Sequence, residues 1–177
     1  MKPKKNQIFI GEKNKRKIAK EIINDCHSEL ESNLLSFEFI TEKTLQRYLI
    51  KTYKEACFVS SLTKVLHINF SDSHPLNEIQ IIHYGAICEA ILGSIFKTNS
   101  ALSQYKPKDK IGKLVELGII STNLENDIRT LWDIRNNIHL HKAKDTNEKF
   151  FKKHLTNKKD IIVELCESIE SYFNNPI

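Results

Sequence analysis

The sequence predicts an all-α fold, a single-domain bundle of about six helices, and two observations carry that prediction. Only five glycines and four prolines punctuate 177 residues, while Lys, Glu, Leu and Ile are abundant, a composition that favours helices and short connections over a sandwich or barrel. Apolar residues also recur at i, i+3 and i+4 along most of the chain, the period of a helix with one buried face. A chain of this length is expected to form one domain and to bury roughly two thirds of its unfolded surface without disulfides or metals.

Residues 1–13 read as a basic, flexible tail, and residues 14–177 as the helical domain. A first helix is expected from about Asn14 to Ser32, with Ile18, Ile22, Cys26 and Leu30 along one side. A second should start near Thr41, a suitable N-cap, and run to about His67 with the stripe Leu45, Tyr48, Leu49, Thr52, Ala56, Val59, Thr63 and Leu66. Ser and Asp between Asn69 and His74 break the pattern, and Pro75 suits the first turn of the next helix, where its missing N–H does no harm. That helix, about Pro75 to Lys97, is apolar nearly all round and should be the most enclosed element. A looser segment from Thr98 leads to a short helix closed by Gly118, a fitting left-handed C-cap. Thr122, with Glu125 three residues on, has the form of a capping box opening the fifth helix. A last helix, about Asn157 to Asn174, places Ile162, Leu165, Cys166, Ile169 and Phe173 at core spacing. No internal repeat and no long linker divides the chain.

The four cysteines, Cys26, Cys57, Cys88 and Cys166, show no close pairing and fall within expected helices, so they read as buried, reduced thiols of a cytoplasmic protein. The apolar run after the basic N-terminus, Ile8 to Ile10, is far shorter than a signal-peptide core. Ile79 to Phe96 is interrupted by Gln80, His83 and Glu89, which favours a core helix over a membrane span. Lysines and arginines outnumber acids 27 to 22, with the excess at two places. One runs from Lys2 to Lys20; the other, Lys142, Lys144, Lys149, Lys152, Lys153, Lys158 and Lys159, follows the fifth helix. The first reads as a solvated face, whereas the second adjoins the residues described next and is suited to tracking a phosphate backbone.

The chemistry of the chain centres on Leu124 to His141, LENDIRTLWDIRNNIHLH. At about 100° per residue, Leu124, Ile128, Leu131, Arg135 and Ile138 share one narrow face, so Arg135 interrupts a core stripe. A guanidinium keeps its charge at any physiological pH, and placing it there costs several kcal/mol unless an acid, a backbone acceptor or a phosphate compensates. Glu89 supplies a candidate, since on its own helix it lies among Ile82, Gly85, Leu92 and Phe96. The two residues are expected to meet; a solvent-lined cleft reached separately by both is the alternative. His139 lies one turn beyond Arg135, within side-chain reach, and His141 follows where the helix should end. Asn136 stands beside Arg135. Trp132, at the edge of the stripe, reads as a packing anchor or dimer contact rather than a base-stacking platform.

Several functions lack their usual supports. There is no P-loop, no GxGxxG after a strand, no GxSxG and no HExxH. His139 and His141 diverge by about 200° on a helix, and no acid or thiol cluster completes a ligand set, so neither metal nor cofactor is expected. KDKIGKLVELGIISTNLENDIRTLW has the outline of a helix-turn-helix, but its second helix spends its stripe on the core instead of offering polar residues to a groove. His27, His67, His74, His83 and His154 are isolated and carry no assigned role.

An apolar helix with an internal acid, AICEAILGSIF, then a short helix, then IRTLWDIRNNIHLH, resembles the HEPN superfamily of small helical domains, many of them RNA-cleaving toxins or defence nucleases. The likeness covers about Ile79 to His141, within a HEPN-like core of about 75–174. The family motif is an Arg followed after four to six residues by a His. Arg135 with His141 has five intervening residues and fits; Arg135 with His139 has three and does not, although helical geometry places that pair on one face. Asn136 matches a polar position that many members share.

The resemblance implies a homodimeric, metal-independent endoribonuclease that turns RNA's own 2′-hydroxyl on the adjacent phosphate. Imidazole suits the proton transfer, and arginine suits the charge of the transition state. Arg135, His141, His139 and Asn136 would form the catalytic set, with Glu89 supporting Arg135. Lys142, Lys144, Lys149, Lys152 and Lys153 would bind RNA, and a cognate antitoxin or another defence protein is an expected partner. The competing reading is a HEPN-like module without catalysis that binds RNA or a partner protein. In that reading Arg135 and Glu89 are a structural pair, His139 is a core histidine and His141 a cation at a helix C-terminus.

Overall fold

The computed structural model describes residues 11–32, 35, 37–66, 74–99, 107–139 and 158–174; the side chains of residues 29–32, 74, 107, 108, 137 and 139 fall outside that description. Six helices and no strand are present among the described residues: α1 Glu12–Ser32, α2 Lys43–Val65, α3 His74–Thr98, α4 Pro107–Glu116, α5 Thr122–His139 and α6 Lys158–Asn174. The chain is an all-α bundle. α3 is its axis, packed by α2 on one side and by α5 and α6 on the other, while α1 lies on α2 and α4 on α5.

The position of α3 follows from its composition. Ile81, Tyr84, Ile87, Cys88, Ile91, Leu92, Ile95 and Phe96 are all buried, and a helix apolar on every side is stable only when neighbours cover it on every side. By length and composition the same helix is also apolar enough to cross a membrane. Here its apolar faces are taken up by α2, α5 and α6 in one continuous core cluster. Cys57, Cys88 and Cys166 are buried within that cluster and Cys26 is half-buried. Burial pushes the Cys88 and Cys166 thiols well above the ordinary range, as expected for groups whose charged form would be desolvated.

α1 begins at Glu12, two residues before the expected start and inside the expected tail. Ile22 is its buried contact, with Ile18 and Cys26 half-buried. Ahead of α2, Phe37 is fully buried with φ of 49°, a left-handed conformation that is uncommon for a bulky residue. It is held by packing and hydrogen bonds. Its ring meets Phe39 and Tyr53 edge-on, Tyr53 meets Tyr84 of α3 in the same way, and Gln46 Nε2 donates to the Phe37 carbonyl at 3.1 Å.

The expected caps shift. The N-cap of α2 is Glu42 rather than Thr41, and it makes no side-chain cap bond. In α5 the Leu124 N–H donates to Ser121 Oγ at 3.0 Å and the Glu125 N–H to the Ser121 carbonyl at 3.0 Å. Ser121 is therefore the cap, and no capping box forms around Thr122. Glu125 instead accepts from Arg129 Nε and Nη2, one turn on, at 2.9 and 2.7 Å. Three stripe residues are also corrected: Tyr48 and Phe173 are each 48% exposed and Leu66 is 40% exposed, because Tyr48 lies at the margin of its stripe and the other two at the ends of their helices. Gly118 does close α4, with φ of 68°. The Ile119 N–H donates to the Leu114 carbonyl at 2.8 Å and the Gly118 N–H to that of Val115 at 2.9 Å, the paired bonds of a Schellman ending.

Candidate functional site: an arginine held across a groove

The phase of α5 is set by Leu124, Ile128, Leu131 and Ile134, all buried, with Ile138 half-buried at the end of the stripe. This aims Arg135 at α3, and Gly85 lets it pass. A Cβ at residue 85 would stand 2.6 Å from Arg135 Cδ and 3.5 Å from its Cβ and Cγ, so the aliphatic stem lies directly on the α3 backbone. One turn along α3, Glu89 Oε2 accepts from Arg135 Nη1 at 2.6 Å. The expected contact is made.

Its setting differs from the expectation of a buried pair. The Arg135 side chain is 21% exposed and that of Glu89 59%. Glu89 has the neighbours its helical phase predicts, but the surface it shares with Leu92 and Phe96 is a groove open to solvent, not a helix interface. A pair of this kind contributes on the order of 1 kcal/mol, well below the cost of stranding a fully buried ion. Glu89 meets Arg135 through a single bond, not the two-pronged fork that guanidinium and carboxylate can form. Arg135 Nε is buried without an acceptor, and since Glu89 is met through Nη1 alone, the other Nη hydrogens of the five-donor guanidinium keep hydrogen-bonding capacity beyond what Glu89 takes.

The groove encloses about 840 Å³ between α3, α4 and α5. From α3 come Glu89, Leu92, Gly93, Phe96 and Lys97; from α4, Lys110; from α5, Arg129, Trp132, Asp133, Arg135 and Asn136. Four cations therefore line it against two carboxylates. Lys110 Nζ lies 5.3 Å from the centroid of the Phe96 ring, a cation–π distance. Asn136 is exposed on the same wall as Arg135, as its place in the sequence implied.

Arg135, Glu89 and Asn136 are thus brought together. His139 is the last residue of α5 and its side chain lies outside the described residues, as do His141, Lys142, Lys144, Lys149, Lys152 and Lys153. Sequence reasoning did not single out Gly85, Gly93, Lys97, Lys110 or Arg129. A signal was present in Gly85, Glu89, Gly93 and Lys97, spaced four apart along α3 and so forming one slowly winding stripe.

A second groove, of about 800 Å³, lies on the other side of the molecule's axis, where α1, α2 and α3 meet. Arg47, Lys51 and Lys54 edge an apolar wall there, and His83 Nδ1 is 3.8 Å from Glu55 Oε2. It contains none of the residues of the Arg-Asn-His segment. Among the described residues, no group of three or more His, Cys, Asp or Glu side chains is placed to hold a metal ion.

No protein-family model, curated protein or solved structure matches the chain. Fold and site together define a class: an all-α bundle with an arginine anchored by a carboxylate on the wall of a cationic groove.

Proposed function

We propose that this protein is a metal-independent endoribonuclease of the HEPN type, acting as a homodimer in the cytoplasm in a toxin or phage-defence setting. The observation that carries the reading is Arg135. Its stem is locked against Gly85 and its Nη1 against Glu89, and its head faces a groove with donor capacity to spare. A preoriented guanidinium that need not reorganise is what stabilisation of a phosphorane-like transition state requires.

In this reading Arg135 binds the scissile phosphate. His141, or His139 in its place, takes the proton from the ribose 2′-hydroxyl as that oxygen attacks the adjacent phosphorus. The bond to the 5′-oxygen breaks, the leaving oxygen is protonated, and the products carry a 2′,3′-cyclic phosphate and a 5′-hydroxyl. Asn136 orients the phosphate or the histidine, and Glu89 positions Arg135. Lys142, Lys144, Lys149, Lys152 and Lys153 add salt-dependent affinity for the RNA backbone. RNA, a second copy of the chain, and an antitoxin or other defence protein are the partners.

One observation favours a second reading. Glu89 already meets the charge of Arg135, as it would in a non-catalytic helical module that binds RNA or a partner protein. Incubation with total RNA and tRNA in EDTA separates the two. Cleavage that leaves cyclic-phosphate ends, and that is lost in Arg135→Ala and His141→Ala chains of unchanged helicity, supports the nuclease. Intact RNA at every protein concentration, with Arg135→Ala merely melting earlier, selects the binding module.

A further inference from the structure

The feature of the groove that the fold does not explain is Gly93. It lies inside α3, where glycine is a poorer helix former than alanine, and a Cβ at this position would meet nothing within 4 Å. No packing contact and no unusual backbone angle calls for a glycine there. What its missing side chain does provide is depth, because Gly93 of α3 lines the same groove as Trp132 and Asn136 of α5. A glycine that leaves backbone open to close approach suits a ligand that lies flat against it.

Trp132 indicates what such a ligand is. Its ring is half-buried, and its polar atom, Nε1, is shielded from solvent without an acceptor. The indole surface left exposed is therefore carbon. Phe96 is largely buried and has Lys110 Nζ over its ring, which leaves Trp132, among the described residues, as the open aromatic surface of the groove. An apolar π-surface beside Lys97, Lys110 and Arg135 matches a flat aromatic ring carried on a phosphate chain.

We infer that the groove between Gly93 and Trp132 is a stacking subsite for one unpaired base of single-stranded RNA, next to the phosphate held by Arg135. The inference rests on the RNA reading above and deepens it. The exposed indole offers no hydrogen-bonding atom, so Trp132 itself favours bases by stacking strength, purines over pyrimidines, and reads no base edge. A base within a duplex is already stacked on both faces and is excluded. The volume, about 840 Å³, lies within the roughly 300–1,000 Å³ range of small-ligand sites.

Trp132 is the only tryptophan in the chain, so its fluorescence reports on this groove alone. The probe is a single-stranded 2′-fluoro RNA oligomer, which has no 2′-hydroxyl to attack and so binds without being cleaved. It is titrated beside an abasic oligomer of equal phosphate count and a duplex of the same sequence. The expected result is saturable quenching by the single strand, at least tenfold weaker binding of the abasic oligomer, and no quenching by the duplex. Gly93→Ala should weaken binding slightly and Gly93→Leu at least tenfold, while both chains melt no earlier than wild type.

Equal binding of the abasic oligomer, binding without quenching, or a Gly93→Leu chain that binds normally would overturn the subsite. So would a Gly93→Leu chain that sediments as a monomer where wild type is a dimer and still binds the oligomer, which would assign the groove to a second copy. Quenching by the oligomer in a protein that leaves RNA intact would retain the subsite and remove the nuclease. Cleavage without quenching would do the reverse.

Discussion

In the proposed nuclease Arg135 acts from the place that Gly85 gives it, and this separates its position from its chemistry. In Gly85→Ala every functional group of the site is retained, but the new methyl would stand 2.6 Å from Arg135 Cδ, and the stem must swing away from α3 and from Glu89. Alanine gains about 1 kcal/mol of helix propensity over glycine, which offsets part of the clash, so the melting temperature should move only a few degrees. RNA cleavage should nonetheless fall at least tenfold, which rate measurements on the variant beside wild type would show; an unchanged rate would mean that the seated conformation is not the active one. Arg135 was legible in the sequence because a charge broke an apolar stripe, and Glu89 because it was an acid in an apolar helix. Gly85 and Gly93 were not, since helical periodicity treats a glycine as a gap. What crosses the gap, an arginine stem in one case and open space in the other, is decided by a helix some fifty residues away in the chain.

At the scale of the element, the helices were legible to within two residues at each described end, while the caps of α2 and α5 were not. Apolar periodicity extends over many residues and tolerates local error, whereas a cap depends on the backbone angles of one residue. Ser121 and Thr122 are adjacent and chemically equivalent as caps; only the bond from the Leu124 N–H to Ser121 Oγ distinguishes them. Removal of that acceptor leaves a helix N–H without its partner. Ser121→Ala should therefore cost about 1 kcal/mol, and Thr122→Ala a few tenths. Urea denaturation of the two variants measures the difference, and equal losses would refute the assignment. The buried face of α5 is unaffected by the one-residue shift, because Leu124, Ile128, Leu131 and Ile134 set its rotation and hence the direction of Arg135.

At the scale of the molecule, one enclosed helix organises both the core and the groove. α3 buries its apolar surface against α2, α5 and α6; the stem of Arg135 covers Gly85, and beyond it Glu89, Gly93 and Lys97 form the stripe that lines the groove between α3 and α5. The basic excess that marked the chain also enters the fold, at Lys158. This residue opens α6, is 7% exposed, and has its pKa lowered to about 8 from 10.5 by burial. Below about pH 8 the side chain is charged in both the folded and unfolded states, and the folded state bears the cost of desolvating it. Between about pH 8 and 10.5 the folded protein has released this proton while the unfolded chain still holds it, so the contribution of Lys158 to stability rises with pH across that window. The separation corresponds to roughly 3 kcal/mol. Lys158→Met removes the charge and retains a flexible apolar stem, so the variant should be more stable than wild type at pH 7 by up to about that amount. Its advantage should shrink through pH 9 and be gone by 10.5. Urea denaturation of both proteins at these three pH values isolates the effect, since every other titrating group is common to the pair. A stability difference independent of pH would show that Lys158 keeps an ordinary pKa in the folded protein.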